Sequence, residues 1–362
     1  MSRRLHVFGS NGEGQLGIPA ADVVASPTEI LSTLPLAEIR AVLGGDNHTL
    51  LITRNGDVLG AGCNRNSQLA PEMDGELRLG TFQELVRNIS FAAATCESTA
   101  YIEAQEDNAR SRLFIQGSGE WGELGNGDSN PEAVNDAGEP WPTLLLLPGL
   151  VKDFAAGVWH YVAILEDGSV YGWGKARLGQ LGDSLSGKVS TPTKIESLPF
   201  NPVRVTCGKD FTYLVGDPST GEHIVLGKDK FNIVSGAPPI IKGWKDIGTT
   251  WHGIFVLFDD GRLIAWGRDA MWQLIPPNLP LIDRIAIGSE HVLAVTKDGK
   301  LVSWGWGKHG NCGDLSKLQE QVKNDMVNGF WNEIDLPGTV EFVGAGFCTS
   351  FVISNQAIEN EE

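Results

Sequence analysis

The chain has 362 residues and carries 28 Lys plus Arg against 45 Asp plus Glu, a formal net charge of −17. Such an acidic balance disfavours a nucleic-acid backbone as partner, since that needs a basic footprint, and no apolar run is long enough to span a bilayer. Glycine (45 residues) and tryptophan (11) are unusually frequent, while 20% charged and 41% hydrophobic residues fit neither a disordered nor a collagen-like chain.

Taken in order, Met1 to Leu5 lacks the apolar stretch of a secretion signal. Leu5 to Phe8, ending at Gly9, has the form of a hairpin's second arm with no first arm before it. The turn Gly9-Ser-Asn-Gly-Glu-Gly-Gln15-Leu16-Gly17 follows. The first complete unit opens Gly45-x-x-His48, continues as an apolar strand, turns at Asn55-Gly56 and returns from Val58. Asn-Gly or Asp-Gly between apolar runs is the strongest short hairpin signal. A weaker unit starts at Cys96-Glu-Ser-Thr99, passes a polar insertion from Glu103 to Arg112, and returns at Phe114 to Gly117.

The clearest copy runs Gly157-Val-Trp159-His160, Asp167-Gly168, Trp173-Gly174, then Gly179-Gln180-Leu181-Gly182. After it come Gly208-Lys209-Asp210-Phe211 with Leu226-Gly227, and Trp251-His252 with Asp260-Gly261 and Trp266-Gly267. Gly288-Ser-Glu290-His291 with Asp298-Gly299 and Trp304-Gly305 follows. In the insertion Asp314 to Pro337, Leu315, Leu318, Val322 and Met326 at three-to-four spacing predict a short amphipathic helix on the rim. The last unit, Gly346-Phe-Cys-Thr349, has no second strand, and the end of the chain reads as an acidic tail.

Anchors at 45, 96, 157, 208, 249, 288 and 346 make seven units about 50 residues apart. A lone hairpin cannot bury its apolar face, so copies must stack, and a ring of seven leaves only short edges. The orphan last unit and the orphan first strand complete one blade and close the ring. The expected fold is all-β: a seven-bladed β-propeller, one domain over residues 1–354, with insertions at 103–112 and 314–337 and a tail at 355–362.

Motifs that look chemical have a repeat explanation. Gly12-x-Gly14-x-x-Gly17 matches a dinucleotide fingerprint, but the pattern recurs at Gly117 and Gly305 at one repeat position, so it is turn geometry. His48, His160, His252 and His291 occupy equivalent slots, which predicts structural imidazoles bonded to backbone at strand starts. The five cysteines, Cys63, Cys96, Cys207, Cys312 and Cys348, are scattered and never C-x-x-C, which predicts free thiols, a reducing compartment and no thiolate zinc site. No nucleophile, base and orienter stand out. The expectation is a non-enzymatic chain with no catalytic residue, no cofactor and no metal.

Trp173, Trp266 and Trp304 belong to the blade core. The x-x residues of each G-x-x-H form loops on one face beside the channel: Asp46 and Asn47, Glu97 and Ser98, Val158 and Trp159, Lys209 and Asp210, Thr250 and Trp251, Ser289 and Glu290, Phe347 and Cys348. Aromatics mixed with carboxylates suit a protein interface. Candidate partner-binding residues are Asp46, Asn47, Trp159, Lys209, Asp210, Trp251 and Glu290, with Trp306 and His309, which add a second Trp-Gly beyond the repeat.

W-G-x-x-x-x-G-Q-L-G with G-x-x-H and a D-G hairpin resembles the regulator of chromosome condensation (RCC) repeat over essentially the whole chain. Trp304-Gly-Trp306-Gly-Lys-His309-Gly-Asn-Cys312-Gly313 after Gly288-Ser-Glu-His291 is similar to a narrower group, the fungal killer-toxin-insensitivity propellers. That resemblance implies a heterodimer with a small CSL-type zinc protein. It further implies support of diphthamide formation and of Elongator-dependent wobble-uridine modification of tRNA, with those enzymes met indirectly and no direct nucleic acid or membrane contact. It also implies a cytoplasmic, and also nuclear, location. The alternatives are a guanine-nucleotide exchange factor for a small GTPase, using the same face, or a general scaffold. The ultraviolet photoreceptors of the superfamily fit poorly, since no arginine stands in these loops.

Overall fold

A computed structural model describes residues 2–31, 34–69, 77–104, 110–127, 142–269 and 274–356. The Asn-Gly and Asp-Gly turns do what their chemistry requires. Gly56, Gly168, Gly261 and Gly299 all take positive φ and fold the chain back on itself. The resulting strands gather into seven antiparallel sheets.

Blade 1 comprises Ile39–Gly44, His48–Thr53, Val58–Cys63 and Arg78–Val86. Blade 2 comprises Ile89–Ala94, Ser98–Glu103, Arg112–Gly117 and Thr143–Leu146, and blade 3 Val151–Ala156, His160–Leu165, Val170–Lys175 and Lys188–Lys194. Blades 4 and 5 have three strands: Arg204–Cys207, Phe211–Val215 and His223–Gly227, then Trp244–Thr249, Gly253–Phe258 and Leu263–Gly267. Blade 6 comprises Ile282–Ile287, His291–Thr296, Leu301–Trp306 and Met326–Glu333. Blade 7 draws on both ends of the chain. Thr339–Ala345 and Thr349–Gln356 are continued by Ser2–Asn11 and Ala21–Glu29, with Ser2 opposite Gln356 and Gly9 opposite Thr349. The seven-bladed propeller with its N- and C-terminal closure is therefore as expected.

The insertion at 314–337 differs from expectation. It contains one 3-10 turn, Ser316–Leu318, and then the outermost strand of blade 6. Asn324 and Asp325 adopt φ 53° and 61°, the left-handed region that stops a helix, and Met326 pairs with Trp306. The apolar residues read as a helix face are anchors of a loop and a strand. At the other insertion Glu103 ends one strand and Arg112 begins the next, with 105–109 outside the described residues. Asn355 and Gln356 are strand, and the remainder of the tail, 357–362, also lies outside them.

The core sits between blades. In blade 3, Phe154, Tyr161 and Trp173 stack with centroids 5.4–5.9 Å apart and join Ala100, Ile102 and Ile115 of blade 2 in one cluster. The innermost strands run side by side around a central channel of about 680 Å³. At the mouth where these strands begin, Arg204 bridges Asp153 (3.3 Å) and Asp246 (3.6 Å), Lys245 meets Asp283 (3.3 Å) and Arg3 meets Glu341 (2.6 Å). The loops between first and second strands ring the opposite mouth.

Candidate functional site

At that second mouth the G-x-x-H loop has a definite geometry. The backbone N–H of the anchor residue donates to the carbonyl of the residue three positions on: Gly45 to His48, Gly157 to His160, Gly288 to His291. The imidazole then lies over the anchor, and a Cβ there would overlap it, which is why glycine precedes histidine by three. The same bond runs from Thr95 to Ser98 and from Thr250 to Gly253.

These bonds correct the sequence register in two blades. The anchors are 95 and 250, so Ser98 and Gly253 fill the histidine slot, and the loop pairs are Cys96 with Glu97 and Trp251 with His252. His252 is not a slot histidine. Its half-buried ring meets Phe231 at 5.3 Å. A second marker agrees. Gly174 at φ 100° and Gly267 at φ 120° each press against the carbonyl of the second loop residue, Trp159 and His252, so closely that no Cβ could fit.

His48, His160 and His291 are buried, and each reaches the next blade. Their Nε2 atoms lie 3.0, 3.0 and 2.9 Å from Thr99 Oγ1, Thr212 Oγ1 and Ser350 Oγ. The bonds go to side-chain hydroxyls and not, as expected, to backbone. Thr212 and Ser350 pass their own protons to Gln180 O and Asn311 O, so the imidazole is the donor. Burial pushes these histidines down to about 4, 3 and 3, and they stay neutral. Trp173, Trp266 and Trp304 point the other way round the ring, donating from Nε1 to Glu123 O, Ile233 O and Leu274 O at 2.8–2.9 Å.

The first loop residues stitch blade to blade through backbone: Asp46 N to Cys96 O, Cys96 N to Val158 O, Lys209 N to Trp251 O, Trp251 N to Ser289 O and Ser289 N to Phe347 O, all 2.7–3.2 Å. This ring holds the candidate residues rigidly on one face. Asn47 Nδ2 donates to Asp46 Oδ2 (2.7 Å), and Asp210 lies 3.7 Å from Lys175. Burial, then Glu97, raises Asp46 above the ordinary carboxylate range, and burial raises Glu290.

Trp159 and Trp251 are half-buried where exposed rings were expected. Trp251 lies across the channel mouth, edge-on to Phe347 at 5.5 Å and under Lys209 Nζ at 5.1 Å. Trp306 and His309 pack edge to face at 5.1 Å, on the same face, since Trp306 N donates to Glu290 O. All five cysteines are free, and among the described residues no group of His, Cys, Asp and Glu could hold a metal.

The turns after the third strands add residues that the loop reading missed. Trp121 carries Lys175 Nζ and the Arg177 guanidinium over its ring at 5.2 and 5.3 Å. Phe231 stands exposed between Lys230 and Arg268. Their signal in sequence is the run Lys228-Asp-Lys230-Phe231 standing where other copies carry a glycine-rich turn.

An all-β ring of seven blades, stapled by loop histidines and W-G tryptophans, defines a seven-bladed β-propeller. Residues 4–52 and 167–215 match a family profile described as the Regulator of chromosome condensation (RCC1) repeat, and 39–68, 151–180 and 282–311 match a second profile of the same description. Over those segments the chain is similar to RCC1 repeats. It is 28% identical to an RCC1 repeat-containing protein of Schizosaccharomyces pombe, covering 96% of this chain and 97% of that one. It is 26% identical to the secretion-regulating guanine nucleotide exchange factor of Mus musculus, covering 86% and 75%. The crystal structure of human WBSCR16 superposes with a TM-score of 0.77 at 18% identity, covering 99% and 100%, which shows the shared fold.

Proposed function

We propose that this propeller is a non-catalytic interaction module that clasps a small CSL-type zinc protein on its loop face. Through that partner it supports diphthamide biosynthesis and Elongator-dependent tRNA modification, in the cytoplasm and also the nucleus. The zinc belongs to the partner. The observation that carries the reading is the rigid ring of loops presenting Trp159, Trp251, Trp306 and His309 on one face beside a channel mouth. Preformed aromatic anchors set in a polar surround are what a protein hot spot requires. The Trp304 to Gly313 stretch supports the narrower partner.

The test is co-purification with the zinc protein. The Trp159→Ala/Trp251→Ala variant should retain its melting transition yet lose at least ten-fold in affinity, in line with the roughly 2 kcal/mol or more typical of a hot-spot aromatic. Undiminished binding by a folded double variant overturns the role of these rings. A second reading, nucleotide exchange on a small GTPase, is favoured by the similarity to the mouse exchange factor. Catalysed release of fluorescent GDP from a nuclear GTPase would establish it in place of the first.

A further inference from the structure

The loop face is electrically divided. Blades 1 and 2 gather Asp46, Glu97 and Glu123: burial first and then the Glu97 charge raise Asp46, and the Glu97 charge adds a small part to the rise that burial gives Glu123. Blades 3 to 5 present Lys175, Arg177, Lys209, Lys228, Lys230 and Arg268. Their field is felt by His252, which burial first, and then Lys230, Arg268 and Lys209, hold down to about 4. A concentration of cations on a chain of net charge −17 is a local feature with a local cause.

Three of these lysines have no carboxylate partner, though Lys209 and Lys230 lie over the Trp251 and Phe231 rings. Lys209, Lys228 and Lys230 make no ion pair among the described residues. Asp229, between two of them, is occupied: its Oδ1 accepts the N–H groups of Val234 (2.9 Å) and Ser235 (3.0 Å). Beneath the lysines lies a mainly apolar cavity of about 110 Å³, walled by Leu178, Phe211, Phe231, Ile233 and Trp251, with Lys228, Lys230, His252 and Asp210, which is paired with Lys175 at 3.7 Å, completing the lining. Empty apolar cavities of roughly 150 Å³ admit a benzene ring, so this one suits a single aliphatic side chain. Phe231 forms its wall from a left-handed backbone, φ 60° and ψ 29°, a conformation that a bulky residue rarely keeps without a reason. The Trp251 indole N–H is buried there without a hydrogen-bond partner.

We propose that blades 3 to 5 dock a short acidic peptide segment of a protein partner, with its carboxylates on Lys209, Lys228 and Lys230 and one aliphatic side chain in the cavity beneath. This rests on the reading of the face as a protein interface and adds the partner's chemistry and its orientation. Carboxylates on this half avoid the acidic half of blades 1 and 2, so the division of charge sets which way the partner lies. A nucleic acid satisfies the lysines but has no aliphatic group for the cavity, and its long charged backbone meets Asp46 and Glu97.

Fluorescence anisotropy with a labelled twelve-residue Asp/Glu peptide carrying one central leucine tests this directly on the full chain. Binding should have a Kd of order tens of micromolar at low salt and weaken at least five-fold on raising salt to about 0.3 M. Replacing the leucine by serine should cost about five-fold, and Lys228→Glu/Lys230→Glu at least ten-fold. Both lysines are exposed, so the melting transition of that variant should match the parent. Equal binding by the charge-reversed variant overturns the site. So does tighter binding of a lysine-rich peptide or a twelve-nucleotide oligouridylate, or self-association on sedimentation that the variant abolishes. Capture of the zinc protein alongside any of these results removes this site and leaves the interface reading standing.

Discussion

Glu123 shows how one residue can depart from its repeat and carry a measurable consequence. In three blades the turn glutamine accepts a backbone N–H two residues back: Gln15 from Glu13, Gln68 from Asn66, Gln180 from Leu178, at 2.8–2.9 Å. Glu123 accepts from Trp121 at 2.8 Å in the same manner, but as a buried carboxyl that desolvation pushes up to about 7. A carboxyl raised above its unfolded value favours the fold while protonated, so its ionisation removes stability as pH rises from about 4.5 through 7. Glu123→Gln should therefore raise stability by roughly 2 to 3 kcal/mol at pH 8, with the gain shrinking towards pH 5. Urea titrations at the two pH values decide it, and a gain of equal size at both would falsify the account. The candidate residues of the loop face behave differently. Trp159 and Trp251 should affect binding more than stability, because neither makes an inter-blade side-chain hydrogen bond of the kind that His160 and Trp173 make, and Trp251 meets its neighbouring blades only through ring contacts with Phe347 and Lys209.

At the scale of the element, the seam in blade 7 is the part of the ring with no covalent continuity. Ser2–Asn11 is held between Ala21–Glu29 and Thr349–Gln356, and its Leu5 and Val7 bury against Phe351 and Ile353. Phe351→Ala should cost about 3 to 5 kcal/mol. Because the seam can open without the rest, amides of Ser2–Asn11 and Thr349–Gln356 should lose hydrogen-exchange protection together while blade 3 keeps its own. Uniform loss over all blades would show instead that the ring opens only by global unfolding. This seam was legible in sequence, since Leu5 to Gly9 lacked a first arm and Gly346 to Thr349 a second. The ring was legible wherever Gly-x-x-His and Asp-Gly coincided. It slipped by one residue at Cys96 and at Trp251, because slots filled by Ser98 and Gly253 carry no histidine to mark the register, and His252 stood one place away as a decoy. The helix expected after Asp314 failed for a related reason: three-to-four spacing of four apolar residues does not reveal that Asn324 and Asp325 turn left-handed and deliver Met326 to a strand. The cation and aromatic cluster of blades 3 to 5 was illegible because its members come from separate turns that only closure of the ring brings together.

For the whole molecule, the three stapling histidines and Glu123 pull stability in opposite directions with pH. A histidine held at about 3 or 4 in the fold and near 6.5 when unfolded contributes its stability in full above pH 6.5 and loses it as pH falls. Between pH 7 and pH 5 each loses about 2 kcal/mol, or roughly 6 for the three, while protonation of Glu123 returns about 2. These four groups together should lower stability by roughly 4 kcal/mol over that range, and the half-buried His252, also held at about 4, adds to the fall, although the −17 charge is being partly neutralised and its self-repulsion eased. The Glu123→Gln variant, lacking the returning term, should fall more steeply, by nearly the full amount set by the histidines. Urea midpoints of parent and variant at pH 5, 6 and 7 measure both slopes. A parent most stable at pH 5 would mean that surface charge, and not the neutral imidazoles bridging blade to blade, governs how this ring responds to acid.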